Sequence, residues 1–229
     1  MKQRGFTLIE VMVALAVMGI LTVMAWQGIE GIIKAQRFGR ARSDEVAMVQ
    51  TLLAQWQNDL NAIDLNASSN YAKGIPPLQY DGQILRLVRA DDMRSDRALR
   101  VVCWAKRTAE RNATGGSEGA NSPGVLMRWQ SPPITTATDL RQAWNDAQTW
   151  AQGSNADTLQ TNALALLPIT DWKLQVFQNG AWLETGPITP DSADRVNLQG
   201  LRLVFTPQAG SLFAGAITRD WIRPSAPGL

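Results

Sequence analysis

The sequence predicts an α+β protein, with a long N-terminal helix packed on a strand-rich globular head. Three observations predict it. Residues 6–26 form one uninterrupted apolar run. Residues 49–63 carry apolar side chains at helical spacing. From residue 65 onward, short strand-like runs alternate with turn signals.

The first element is the apolar run. Phe6 to Trp26 reads FTLIEVMVALAVMGILTVMAW, 21 residues with one charge, Glu10, and no proline. As a helix it spans roughly 32 Å, close to the ~30 Å hydrocarbon core of a bilayer. Lys2 and Arg4 precede it, so the positive-inside rule predicts a cytoplasmic N-terminus and places the remainder across the membrane. A removable secretory signal fits poorly. Met24-Ala25-Trp26-Gln27 puts a tryptophan where a small residue is wanted, and the run is long for a signal core.

Glu10 is the anomaly in this segment. A carboxylate inside a membrane helix costs about 2.5–3.5 kcal/mol at the centre, and less near an end. Two explanations compete: the side chain snorkels to the interface, or a positive group on a second chain pairs with it within the membrane.

The helix continues past the anchor. Gly28 and Gly31 weaken it, each costing roughly 1 kcal/mol against Ala, and mark either a soft point or close packing with neighbours. A polar stretch, Lys34–Glu45, gives way to Val49, Leu52, Leu53, Trp56, Leu60 and Ile63. These share one face of an amphipathic helix over residues 27–64, expected to pack on the chain's own head. From Phe6 to Ile63 a single helix would be roughly 87 Å long.

The head, residues 65–229, reads as follows. Residues 66–83 are loop-like, with Gly74, Pro76-Pro77 and Asp81-Gly82. Strands are expected at Ile84–Arg89, Arg100–Lys106 and Val125–Gln130. Gly115-Gly116-Ser117-Glu118-Gly119 reads as a hairpin tip and lacks the residues of a phosphate loop. Thr138–Ala151 is a short helix with Asp139 near its start. An irregular stretch follows to about Ala163. The strand Asp171–Gln178 and the short strand Ala181–Leu183 flank Asn179-Gly180, a hairpin signal. Further strands are expected at Leu198–Thr206 and Ala214–Arg223. Several short strands cannot all pack on one helix, so either one sheet with helical cover on one face or two sheets are expected.

Composition excludes much chemistry. The 229 residues include no histidine, so no Ser-His-Asp or Cys-His arrangement and no His-bearing zinc site is available. One cysteine, Cys103, excludes an intrachain disulfide and any Cys-rich cluster, and in an apolar strand it reads as a buried thiol. An enzyme would need a carboxylate pair assembled by folding, and no spacing points to one. Residues 1–42 hold six basic and two acidic side chains, a balance of +4, and the remainder balances at −2. A basic bias confined to one end argues against nucleic acid as a partner. Of the nine tryptophans, Trp104, Trp129, Trp172, Trp182 and Trp221 fall on strands and read as core rather than as a carbohydrate platform. Asp91-Asp92 with Asp96 matches no EF-hand spacing and reads as a solvated turn. No metal, cofactor or catalytic residue is expected.

Gly5-Phe6-Thr7-Leu8-Ile9-Glu10, after a short basic leader and before about twenty apolar residues, resembles the type IV prepilin signature. Pilins and the pseudopilins of type II secretion share it. The resemblance implies a leader of residues 1–5, cut by a prepilin peptidase after Gly5, and methylation of the new N-terminal amine of Phe6. It also implies that Glu10 pairs with that amine on a neighbouring subunit. The size of the head and the blocks Asp81–Leu87, Asp171–Leu174, Gly180–Trp182 and Arg219–Trp221 resemble the minor pseudopilins of the J type. That likeness implies an inner-membrane anchor, a periplasmic head and a place at the tip of a pseudopilus. Its partners would be minor pseudopilins of the I and K types and the major pseudopilin. The alternatives are a minor pilin of a type IV pilus and a membrane-anchored periplasmic enzyme.

Overall fold

A computed structural model describes residues 7–65, 74–91, 98–107, 123–153, 157–184, 188 and 199–224. The elements are α1 (Leu8–Asn61), β1 (Leu78–Tyr80), β2 (Ile84–Ala90), β3 (Leu99–Arg107), β4 (Gly124–Gln130) and α2 (Ala137–Ala151). Then follow α3 (Asp157–Gln160), β5 (Ala163–Gln178), β6 (Ala181–Glu184), β7 (Gly200–Pro207) and β8 (Ile217–Ile222). The chain divides into two compact units, one up to Ala47 and one from Met48 onward.

In the first unit α1 is a bare helix, exposed from Thr7 to Asp44. Gly28 and Gly31 do not break it, and a Cβ added at either would meet no atom within 4 Å. The hydroxyl of Thr22 donates to the Met18 carbonyl at 2.8 Å, so this polar group in the apolar run is satisfied within the helix. Trp26 ends the run and donates its Nε1 to Glu30 at 2.9 Å.

Among the described residues of the second unit, all strand pairs are antiparallel and form one eight-stranded sheet, ordered β1-β2-β3-β4-β5-β7-β8. β5 joins its two halves. Residues 163–169 pair with β4 and residues 169–177 with β7, on opposite edges. β6 fills the edge that β4 vacates, pairing with residues 175–178. Asn179 (φ 51°) and Gly180 (φ 80°) close the β5–β6 hairpin in the left-handed conformation that an Asn-Gly pair favours.

Alternation along the strands separates two cores. Leu85, Leu87, Val102, Trp104 and Leu126 pack with Val49, Leu52, Trp56 and Leu60 of α1. Val88, Val101, Cys103, Ala105 and Trp129 pack with Leu140, Ala143, Trp144, Ala147 and Trp150 of α2. The helical cover therefore lies on both faces, which corrects the expectation of one covered face or two sheets. β2 and β3 are apolar on both sides of the pleat, a pattern that demands two covers.

Other expectations also change. The loop expected over 66–83 contains β1 at its end. Three residues behind Pro76-Pro77 are too few for a legible alternation. The strand expected from Asp171 begins at Ala163. Pro168 disguises its first half, because a proline lacks the ladder N–H. It sits just before Ile169, where β5 exchanges β4 for β7 and the register shifts. The irregular stretch after Gly153 contains α3. The hairpin tip at 115–119, Asp92 and Asp96 lie outside the described residues.

α2 starts one residue before the expected Thr138, at Ala137, and is capped by Thr136. Thr136 accepts from the Asp139 N–H at 3.1 Å. Arg86 lies over the Trp144 ring at 4.6 Å and donates to the Trp144 carbonyl at 3.1 Å, fastening α2 to β2.

α1 is fastened to the opposite face by a charge. Asp59 is fully buried. Its Oδ1 accepts from Arg89 Nη1 at 2.9 Å and Arg128 Nη2 at 2.7 Å. Its Oδ2 accepts from Arg128 Nε at 2.7 Å and Trp104 Nε1 at 2.9 Å. Asn61 accepts from Trp221 Nε1 at 2.8 Å, and Gln57 accepts from Arg219, so α1 also reaches β8.

Three predictions follow from these contacts. Asp59→Ala strands two guanidiniums near the core and should destabilise the head by about 3–5 kcal/mol. Denaturant titration of a fragment starting near Arg37 checks this, and a loss below about 1 kcal/mol contradicts it. Gly200→Ala should cost about 1–3 kcal/mol. Its new Cβ would stand 2.8 Å from the Trp221 carbonyl and 2.9 Å from Ile222 Cδ1. The third concerns pH. Burial pushes the Cys103 thiol above its ordinary range and the Tyr80 phenol up to about 12. Both are neutral when folded and ionise more readily unfolded, so stability is full below about pH 9 and falls as pH rises toward 12. The denaturation midpoint should drop between pH 7 and pH 10.5, and thiol reagents should label Cys103 only in denaturant.

Candidate functional site

The candidate site is the N-terminal end of α1. Thr7 precedes the first helical residue and Glu10 stands three positions later, the spacing of a capping box. The carboxylate reaches back. Glu10 Oε2 accepts from the Thr7 N–H at 2.9 Å and from the Thr7 hydroxyl at 2.8 Å. Thr7 also closes the first turn, its carbonyl accepting from the Glu10 N–H at 3.1 Å. Glu10 Oε1 makes no hydrogen bond among the described residues.

This geometry gives Glu10 a local partner for one oxygen and leaves the other open. The helix N-terminus favours the negative charge. Sequence reasoning singled out Glu10 by its charge and passed over Thr7, although the T-x-x-E spacing was there to be read. Gly5 and Phe6 lie outside the described residues.

Around Glu10 the surface is apolar. Leu8, Ile9, Met12, Val13 and Leu15 are exposed, and so are the large side chains through to Trp26. This is a helix long and apolar enough to cross a membrane. Among the described residues, no group of three or more acidic or Cys side chains is arranged to hold a metal ion. Asp91 pairs with Arg100 at 3.0 Å. The tryptophans expected on strands act mainly as core: Trp104, Trp129, Trp172 and Trp221 are buried. Trp182 is half-buried, under Arg202 at 4.3 Å.

Residues 1–26 match the prokaryotic N-terminal methylation motif. No curated protein and no solved structure matches the chain. The motif and the long apolar helix behind it fit a type IV pilin-like family, whose members are pilins or pseudopilins. Proteins with this motif are structural rather than enzymatic. The single apolar helix is consistent with membrane anchorage.

The capping geometry makes its own prediction. Thr7→Ala removes the hydroxyl donor to Glu10 Oε2 and keeps the backbone N–H, and should fray the first turn at a cost of about 0.5–1 kcal/mol. Amide exchange at residues 8–11 in detergent micelles should accelerate severalfold. Unchanged exchange contradicts the cap.

Proposed function

We propose that the chain is a minor pseudopilin of a type II secretion system. It would stand near the tip of the pseudopilus and prime its assembly for export across the outer membrane. The observation that carries this reading is the methylation motif joined to a helix with an exposed apolar surface and one acid. The large head with a single buried cysteine favours a pseudopilin over the pilins that close a C-terminal loop with a disulfide.

In this reading prepilin peptidase cuts between Gly5 and Phe6 and methylates the Phe6 amine. That amine on one subunit meets the free Oε1 of Glu10 on another. Both charges are costly alone in lipid and attract strongly there, so the pair sets the register between neighbouring helices. Lys2 and Arg4 hold the leader on the cytoplasmic side, the helix crosses the inner membrane, and the head works in the periplasm. Minor pseudopilins of the I and K types and the major pseudopilin are the partners. The open space over Gly28 and Gly31 suits close approach of another helix.

Glu10→Ala should leave the protein folded and membrane-inserted but reduce its co-purification with those partners at least about tenfold, the equivalent of 1.4 kcal/mol. Undiminished co-purification contradicts the pairing. A deletion strain decides the machine. Loss of exported enzymes with pili and motility intact supports secretion, and the reverse pattern makes the chain a minor pilin.

A further inference from the structure

Past the apolar run, α1 carries a dense set of cations. Residues 27–43 hold Lys34, Arg37, Arg40 and Arg42 against one acid, Glu30. All four cations are exposed, and none makes a hydrogen bond or ion pair among the described residues. Lys34, Arg37 and Arg40 recur at every third position along one side of the helix, and Arg42 widens the set into a collar. Like charges on successive turns repel and weaken a helix unless anions lie against them. Glu30 is turned the other way, its Oε1 accepting from Trp26 Nε1 at 2.9 Å.

The collar follows directly on the membrane-length segment. Tryptophan is enriched where a helix leaves the bilayer, and past Trp26 the residues Ile29, Ile32 and Ile33 continue the exposed apolar surface. The hydrocarbon edge therefore falls between Trp26 and Ile33. Measured from Ile33, the four cations lie roughly 2–14 Å along the axis, and from Trp26 roughly 12–24 Å. The headgroup layer is about 5–7 Å deep, and its field reaches a further 8–10 Å or so. Side chains on a helix lean toward its N-terminus, which here is toward the membrane, so long Lys and Arg stems reach back to the surface. Lys34 meets the headgroup phosphates from either edge, and the arginines touch them or stand in their field. Phe38, 78% exposed amid the collar, adds an apolar ring suited to the same layer.

Charge and arrangement together select the occupant. The cations are strung over roughly 12 Å of helix and do not converge on one point. Such a row fits a plane of many phosphates better than one small ion. The covalent link to the apolar run holds that plane beside it.

We propose that the collar of Lys34, Arg37, Arg40 and Arg42 binds the phosphates of anionic phospholipids where α1 leaves the bilayer. The lipids neutralise the row of like charges and hold the helix at one depth. The inference needs α1 to lie in a membrane. It depends neither on the pseudopilin role, which the deletion strain tests separately, nor on which leaflet meets the collar.

Native mass spectrometry of the full chain provides the test. The protein is released from mixed micelles holding equal amounts of phosphatidylglycerol and phosphatidylcholine. It should retain phosphatidylglycerol at least about fivefold over phosphatidylcholine. The combined variant Lys34→Gln, Arg37→Gln, Arg40→Gln and Arg42→Gln should retain the two lipids equally. Glutamine keeps helix propensity close to that of Lys and Arg, so the helix itself should persist. The charge-preserving set Arg37→Lys, Arg40→Lys and Arg42→Lys should keep most of the preference. Excess inorganic phosphate should not displace the lipid. Equal retention of the two lipids by the native chain, undiminished preference in the Gln variant, loss of preference in the Lys set, or displacement by inorganic phosphate overturns the proposal.

Discussion

The Asp59 carboxylate organises the head. It is the acid on the buried stripe of α1, and it accepts four hydrogen bonds from side chains on three consecutive strands. Apolar packing alone would let a helix slide or rotate on a sheet face. A buried charge that must meet Arg89, Trp104 and Arg128 together allows one position. That position then carries Gln57 and Asn61 to β8, beyond the point where β5 changes neighbours. One helix end thus spans both halves of the sheet that β5 joins.

The same helix has an opposite character at its start. Its apolar side chains find no cover among the described residues, an arrangement that water does not tolerate over so many residues. A bilayer or a bundle of like helices must supply the missing environment. Glu10 belongs to that setting. Its partial satisfaction by Thr7 lowers the cost of holding a carboxylate there, and its second oxygen accepts no hydrogen bond among the described residues. A local bond and an intermolecular one are compatible, since a carboxylate has two oxygens to share.

Local rules made much of this legible. The apolar run, the stripe from Val49 to Ile63 and the Asn-Gly hairpin each follow from residues close in sequence. The N-terminal motif was equally plain, because its meaning depends on order and spacing. Non-local features were hidden. Asp59, Arg89 and Arg128 lie far apart in sequence, and only folding brings them together, although an acid three residues after Trp56 on an apolar stripe was a hint. The first half of β5 was masked by Pro168, and β1 by its brevity. The double cover could have been read from the two-sided hydrophobicity of β2 and β3.

The central claim is that this chain enters a membrane machine as a processed, pilin-like subunit, its start remade after translation to suit the acid at position 10. Intact mass spectrometry of the protein extracted from its native membranes tests that claim most directly. The account predicts the mass of residues 6–229 carrying one added methyl group, with fragmentation assigning the methyl to the Phe6 amine. A membrane form that retains Met1–Gly5, or one that begins at Phe6 with no methyl, contradicts it.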